Sequence, residues 1–363
     1  MNSQINSFVL CAAAVLMLAA CGQKPKGVEN PQPSVYYWRT TLSLDADERA
    51  FLSQAGVGKM FLHVFDVTRP SGSYAPAASG TPSNLGGEPY SLMPANTLIF
   101  EDRVPDGIKI IPTVFFAPGV LAGNDSDSTL ALKVLRRIDQ MMEQNGYDRP
   151  DEVQMDYDWT ASDEAAYFDL LKQMGKILHK EGRNLSATIR LHQLSKAAPP
   201  VGYGVLMVYN VGNFRDEAER NSILTTEAVA PYMPALAKYE LPLCAALPVY
   251  GWNLLFQNHL FRQIVRGVDL SDTTLFRRID STHYESMAYM AAPADGIADE
   301  GGQRIYPGDV VRVEQPSLPL LMETRQMLEL SRPGVCDQVV IYHLDSKFIK
   351  HNGYEIQKLY SKP

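Results

Sequence analysis

From residue 35 onward, short apolar runs alternate with stretches of helical spacing. Residues 35–42, 59–67, 109–116, 152–159, 185–191, 205–211, 241–250 and 338–344 read as strands, dominated by branched and aromatic residues. Residues 45–54, 129–145 and 319–330 carry helical periodicity. Ser162 is placed to cap a further helix that runs to about Lys180, where Gly182 stops it. Eight apolar strands with helices between most of them predict an α/β protein, a (β/α)8 TIM-type barrel. The pattern is weakest over 256–315, where a helix, the polar segment Ser281-Thr282-His283-Tyr284 and turns at Gly301-Gly302 suit an insertion or an irregular last third. A doubly wound open sheet is the alternative, but no Gly-rich loop follows a strand as its phosphate site would need. Residues 70–94, rich in Gly, Pro, Ser and Ala, read as a long loop after the second strand, where it would overhang the mouth of a barrel.

One strand stands apart. In 152–159, Val153, Met155 and Tyr157 alternate with Gln154, Asp156 and Asp158. A strand sends alternate residues to opposite faces, so one face is apolar and the other carries an amide and two carboxylates, spaced roughly 7 Å apart. Like charges on a buried face cost stability unless something uses them. Asp156 and Asp158 are therefore the candidate catalytic residues.

In a barrel, chemistry sits at the C-terminal ends of the strands. Those ends supply Trp38 and Arg39, His63 and Asp66, the two acids with Trp159, Arg190 and His192, Tyr209 and Asn210, Tyr250 and Trp252, and Tyr342, His343 and Asp345. All three tryptophans of the chain fall there. Flat aromatic rings beside Asp, Asn, Arg and His suit a glycan or another polyhydroxylated ligand. No His or Cys spacing resembles a metal site, no cofactor motif appears, and no Gly-x-Ser-x-Gly turn offers a serine nucleophile. Lys59 and Lys109, at strand starts, are expected on a solvated rim.

The N-terminus is an address. The apolar run in residues 1–20 is too short to span a bilayer comfortably and ends in Leu18-Ala19-Ala20-Cys21-Gly22, which resembles a bacterial lipobox. That resemblance implies a signal peptide over 1–20, lipidation of Cys21, a tether over 21–33, a single barrel domain over 34–363 and a membrane-anchored place in the cell envelope. The net charge of −8, with no Lys/Arg cluster, argues against nucleic acid as a partner. With Cys11 removed and Cys21 lipidated, Cys244 and Cys336 remain, either as core thiols or as a disulfide.

At Asp156-Tyr157-Asp158-Trp159 the chain resembles the fourth strand of the family-18 chitinase-like glycoside hydrolases, which reads roughly Asp-x-x-Asp-x-Asp-x-Glu. The resemblance extends to uncharacterised bacterial barrel families with an aliphatic-Gln-x-Asp-x-Asp strand. It implies a (β/α)8 barrel in which the final Glu is the general acid and the preceding Asp orients the substrate's acetamido group. Here Asp156 and Asp158 match the last two aspartates, Thr160 stands in place of the acid, and the first aspartate falls at Val153 or Gln154. A threonine hydroxyl cannot protonate a leaving glycosidic oxygen, so a hydrolase would need its acid elsewhere. Asp158 is the first candidate, because a negative Asp156 beside it would favour retention of a proton. Asp66, Asp345, Glu285 and Glu314 are candidate second carboxyls. Pairing of Asp156 with Arg190 would work the other way and make it structural. Three readings follow. A lipid-anchored hydrolase needs two carboxyls facing each other across an aromatic pocket. A catalytically silent glycan-binding barrel shows aromatic platforms with its acids held in ion pairs. A structural or assembly lipoprotein shows an exposed apolar patch and no deep pocket.

Overall fold

Strands with an apolar outer face and a mixed inner face bury both by closing into a ring. The computed structural model describes residues 27–69, 92–122, 129–292, 303–351 and 355–361. Its eight parallel strands are β1 (Ser34–Tyr37), β2 (Lys59–Thr68), β3 (Lys109–Phe116), β4 (Glu152–Tyr157), β5 (Asn184–Arg190), β6 (Tyr203–Met207), β7 (Leu243–Pro248) and β8 (Val339–Tyr342). They pair in chain order, and β1 joins both β8 and β2, so the barrel is closed. Each expected strand is present; β2 and β3 reach their expected ends, and the other six stop short of theirs at the mouth. The first leaves the barrel after Tyr37, and Thr41–Leu42 pairs instead with Ile99–Phe100. The sixth stops at Met207 and turns over at Asn210, which has a φ of 55°.

Helices α1 (Ala46–Gln54), α2 (Leu130–Gln144), α3 (Glu164–Lys180), α4 (Leu318–Ser331) and α5 (Ser346–His351) pack outside. At α1, Asp45 accepts the Glu48 backbone N–H at 2.9 Å while the Glu48 carboxylate accepts the Asp45 N–H at 3.1 Å, a reciprocal cap. The expected cap of α3, Ser162, is displaced by Asp163 at the N-cap position. Among the described residues, β5 reaches β6 through only a 3-10 turn, Leu191–Ser195.

The stretch 256–315 contains no helix among its described residues; it belongs to an insertion between β7 and α4. Strands Trp252–Gln257, Leu260–Val265, Phe276–Arg278, His283–Ser286 and Val310–Glu314 form one antiparallel sheet. Phe256, Leu260, Phe261 and Ile264 fall at helical spacing, which explains the expectation of a helix. Asn258 and His259 break it: both have positive φ, 51° and 64°, and make a two-residue hairpin turn. Of the long loop expected at 70–94, residues 70–91 lie outside those described, and Met93–Ala95 forms a short strand on β2.

Inside the ring, Tyr36, Phe61, Ile111, Val205, Met207, Cys244, Ala246 and Val340 make one buried cluster, and Val28 closes it. Val28 arrives there because residues 27–33 cross the base of the barrel. Gly27 bridges to Leu243 at the start of β7, and the Gln32 N–H reaches the Gln338 side chain just before β8. The end of the expected tether is thus docked structure. Lys59 departs from expectation in the same way. It is buried rather than on a solvated rim, with its ammonium 2.9 Å from Gln338 Oε1 and 3.3 Å from the Asn30 carbonyl. Lys109 is a third exposed and lies 3.9 Å from both Asp151 and Glu152.

Cys244 and Cys336 are free and buried. Burial pushes both thiols up to about 12, so almost no thiolate exists at neutral pH. In the form that starts at Gly22, neither should react with a thiol reagent until the chain is denatured, when both should. Rapid labelling of either one in the folded protein would contradict this packing.

Candidate functional site

The inner face of β4 is a ladder of polar partners that rises toward the mouth. At its foot, Glu152 accepts from Ser186 at 2.9 Å and from Tyr203 at 2.5 Å. Next, Gln154 Oε1 accepts from Tyr36 at 2.7 Å and Thr113 at 3.2 Å. Above it, Asp156 Oδ1 accepts from Thr188 at 2.6 Å and from Arg190 Nη2 at 2.9 Å. At the top, Asp158 lies 2.8 Å from His192 Nε2, with both side chains about half exposed, 47% and 50%. The alternation read from the sequence is therefore correct, and it extends one step further down to Glu152. Burial works against the charge on the Arg190 guanidinium, but Asp156, Tyr209, Asp158 and Tyr342 together outweigh it and hold the group above the ordinary arginine range.

Two cavities open on this end of the barrel. The first, about 340 Å³, is lined by Trp38, Phe115, Asp156, Asp158, Arg190, Leu191, His192, Met207, Tyr209, Asn210, Val211, Tyr232 and Tyr342. Tyr209 and Tyr342 stack at 4.6 Å, and Trp38 stands 5.8 Å from the Tyr342 ring. Burial raises both tyrosine hydroxyls well above their usual range, so they stay protonated hydrogen-bonding groups. The second cavity, about 530 Å³, shares Trp38 and runs between the barrel and the inserted sheet. Arg39, Tyr250, Trp252, His343 and Asp345 line it, with Glu314, Arg266 and Lys347. Tyr250 donates to Asn210 Oδ1, which ties the two cavities together.

Most of the expected binding residues thus converge, but three do not reach the cavities. Trp159 is 1% exposed and packs against Phe168 of α3, because β4 has ended and the chain has turned outward. His63 and Asp66 are buried as a pair, 2.7 Å apart, with Asn96 on the second carboxylate oxygen. They support Trp38, whose ring lies 4.7 Å from His63. Arg39 lines the second cavity with its guanidinium held by both Glu48 oxygens, at 2.7 and 2.8 Å. Of the candidate second carboxyls, Glu285 sits with Arg277 on the inserted sheet. Glu314 is buried, 2.6 Å from Arg312, and its other oxygen accepts from Ser222 and Trp252. Tyr232, Arg266 and Lys347 were missed, since no strand-end rule points to a short turn, an inserted hairpin or a helix start.

No family model and no curated protein matches the sequence. Among solved structures, the C-terminal domain of a candidate chitinase from Desulfitobacterium hafniense DCB-2 aligns over 92% of this chain and 100% of that one, with TM-score 0.51 and 9% identity. The Bacillus cereus spore cortex-lytic enzyme SleL aligns over 94% and 76%, with TM-score 0.49 and 12% identity. The GH18 chitinase ChiB from the chitin utilization locus of Flavobacterium johnsoniae aligns over 91% and 94%, with TM-score 0.44 and 12% identity. At such identities the likeness is one of fold, a TIM-type barrel.

Thr160, where the resemblance places a general acid, is exposed and faces the start of α3. Its N–H donates to Asp163 Oδ1 at 2.6 Å, and its hydroxyl lies 2.8 Å from Ser162 Oγ. The residue organises a turn. His343 carries a different signal. Burial lowers its pKa from the ordinary value of about 6.5, with Asp345 opposing the shift. The unfolded chain therefore takes up a proton before the folded one does. The contribution of His343 to stability is complete above about pH 6.5 and is lost as the pH falls below it. Urea midpoints should drop more steeply between pH 7 and 5 for the wild type than for His343→Gln. Parallel pH profiles would show that His343 is not the group responsible.

Proposed function

We propose that this chain is a lipid-anchored barrel that binds a glycan in the cell envelope and does not cleave it. The observation that carries this reading is the state of the two acids at the mouth end of β4, Asp156 within it and Asp158 just beyond it. Asp156, which lines the cavity, is committed to Arg190 and Thr188, and Asp158 beside it is paired with His192. Cleavage needs a proton donor and a second carboxylate or activated water set at opposite sides of the scissile bond. Among the described residues, Asp156 and Asp158 are the only carboxylates that line the first cavity, and both already have cationic or imidazole partners; Met207, Tyr209, Tyr232 and Tyr342 line it elsewhere. What remains is a surface of aromatic faces and fixed polar groups, the chemistry of sugar recognition. Glycoside hydrolase-like barrels are its structural neighbours. The Cys21 lipobox supports the anchor, and the net charge of −8 fits no role with nucleic acid.

The half-exposed Asp158–His192 pair favours a second reading, a hydrolase that uses this pair as its acid and base. Co-sedimentation of the form that starts at Gly22 with insoluble polysaccharides separates binding from inertness. Assay of the same mixtures for new reducing ends separates binding from hydrolysis. Capture without new ends is the expected result; new ends would move the assignment to the second reading, and neither signal would remove both.

A further inference from the structure

The chain enters the barrel from the side opposite the mouth. Gly27 bridges to Leu243, the first residue of β7, and a Cβ at Gly27 would fall 2.6 Å from the Gly334 carbonyl oxygen, ahead of β8. Val28 then fills the foot of the inner cluster, and the Asn30 carbonyl takes the Lys59 ammonium at the start of β2. Ser34 begins β1. Residues 27–33 are therefore a strap across the base, fixed at both edges and at its centre. Only five residues, 22–26, separate that strap from Cys21. Fully extended, the six steps from Cys21 to Gly27 span at most about 22 Å, less than the width of a compact domain of this length.

We propose that the strapped base of the barrel is a membrane-apposed surface, so that a lipid on Cys21 holds the molecule base-down with the mouth facing away from the bilayer. This rests on the lipid-anchor reading above and adds an orientation to it. A free tether as long as residues 21–33 would let the domain tumble; docking of 27–33 removes that freedom. Strands of a closed barrel run from base to mouth, so the cavities beside Trp38 and Tyr209 are carried to the far side, accessible to a glycan that is not part of the same membrane surface. The partner is the lipid surface itself, met by the turns that precede β3, β4 and β8.

The test uses the full lipidated protein in vesicles of phosphatidylethanolamine and phosphatidylglycerol. A fluorophore is placed at Asp106→Cys, exposed in the turn before β3, or at Ala161→Cys, exposed beyond the end of β4. The native thiols at Cys244 and Cys336 are buried and do not compete. A nitroxide on the lipid headgroups should quench the Asp106→Cys label strongly and leave the Ala161→Cys label nearly unchanged. A long Gly/Ser insertion between Lys26 and Gly27 should abolish that difference. Equal quenching at the two sites without the insertion, or stronger quenching at Ala161→Cys, would overturn the proposed orientation. The premise is checked separately. Palmitate incorporation and membrane fractionation should be lost in Cys21→Ser, and if the wild type shows neither, both the anchor and the orientation fall.

Discussion

Arg190→Ala is expected to lower the stability of the folded protein by about 3 to 5 kcal/mol, a loss of the kind seen when one member of a buried ion pair is removed. Arg190 Nη2 lies 2.9 Å from Asp156 Oδ1, and their side chains are 22% and 5% exposed. Without the guanidinium, Asp156 keeps, among the described residues, the Thr188 hydroxyl, beside the buried ring of Tyr36 and the partly buried rings of Tyr209 and Tyr342. Urea unfolding measures the effect as a lower midpoint at unchanged slope. The double variant Asp156→Asn with Arg190→Met should lose less than Arg190→Ala alone, because no uncompensated charge stays buried. Equal midpoints for wild type and Arg190→Ala would mean that the pair is not a structural element of the mouth, and Asp156 would again be available for chemistry.

The barrel was legible because eight apolar strands recur along the chain, and the ladder of β4 was legible because period-two alternation survives even where the residues are polar. Gln154 and Asp156 point inward, as their spacing requires, and Tyr157 points out to Tyr167 of α3. Trp159 was misplaced because alternation holds only while the strand does, and β4 ends at Tyr157. His63 and Asp66 sit within β2, which continues to Thr68, and both are buried, so nearness to a strand end overstated their access. The inserted sheet was not legible. Its hairpin carries helical spacing, and its turn uses Asn258-His259 in place of the usual Asn-Gly signal. That Glu314 would come from the insert to meet Ser222 and Trp252 could not be read from separations of 92 and 62 residues.

Trp38→Ala is the second large effect. The ring borders both cavities, rests on His63 at 4.7 Å and stands 5.8 Å from Tyr36 and from Tyr342. A platform held on three sides meets a ligand without ordering cost, so its removal should weaken glycan binding by about 2 kcal/mol, roughly thirtyfold in Kd. Trp159→Ala should behave in the opposite way. It would destabilise the fold through loss of a fully buried ring, while binding at a temperature where the protein is still folded stays near the wild-type value. Calorimetric titration of both variants with an oligosaccharide that the wild type binds checks the pair. Loss of affinity in Trp159→Ala with none in Trp38→Ala would place the ligand elsewhere.

The most direct measurement is a side-by-side determination of binding and turnover for the form that starts at Gly22, on a panel of β-linked oligosaccharides and cell-wall glycan fragments, with Asp158→Asn alongside. The expected result is measurable binding to at least one glycan, with no release of reducing ends by either protein. Turnover by the wild type that disappears in Asp158→Asn would contradict it, and would make the Asp158–His192 pair the catalytic centre of a glycoside hydrolase.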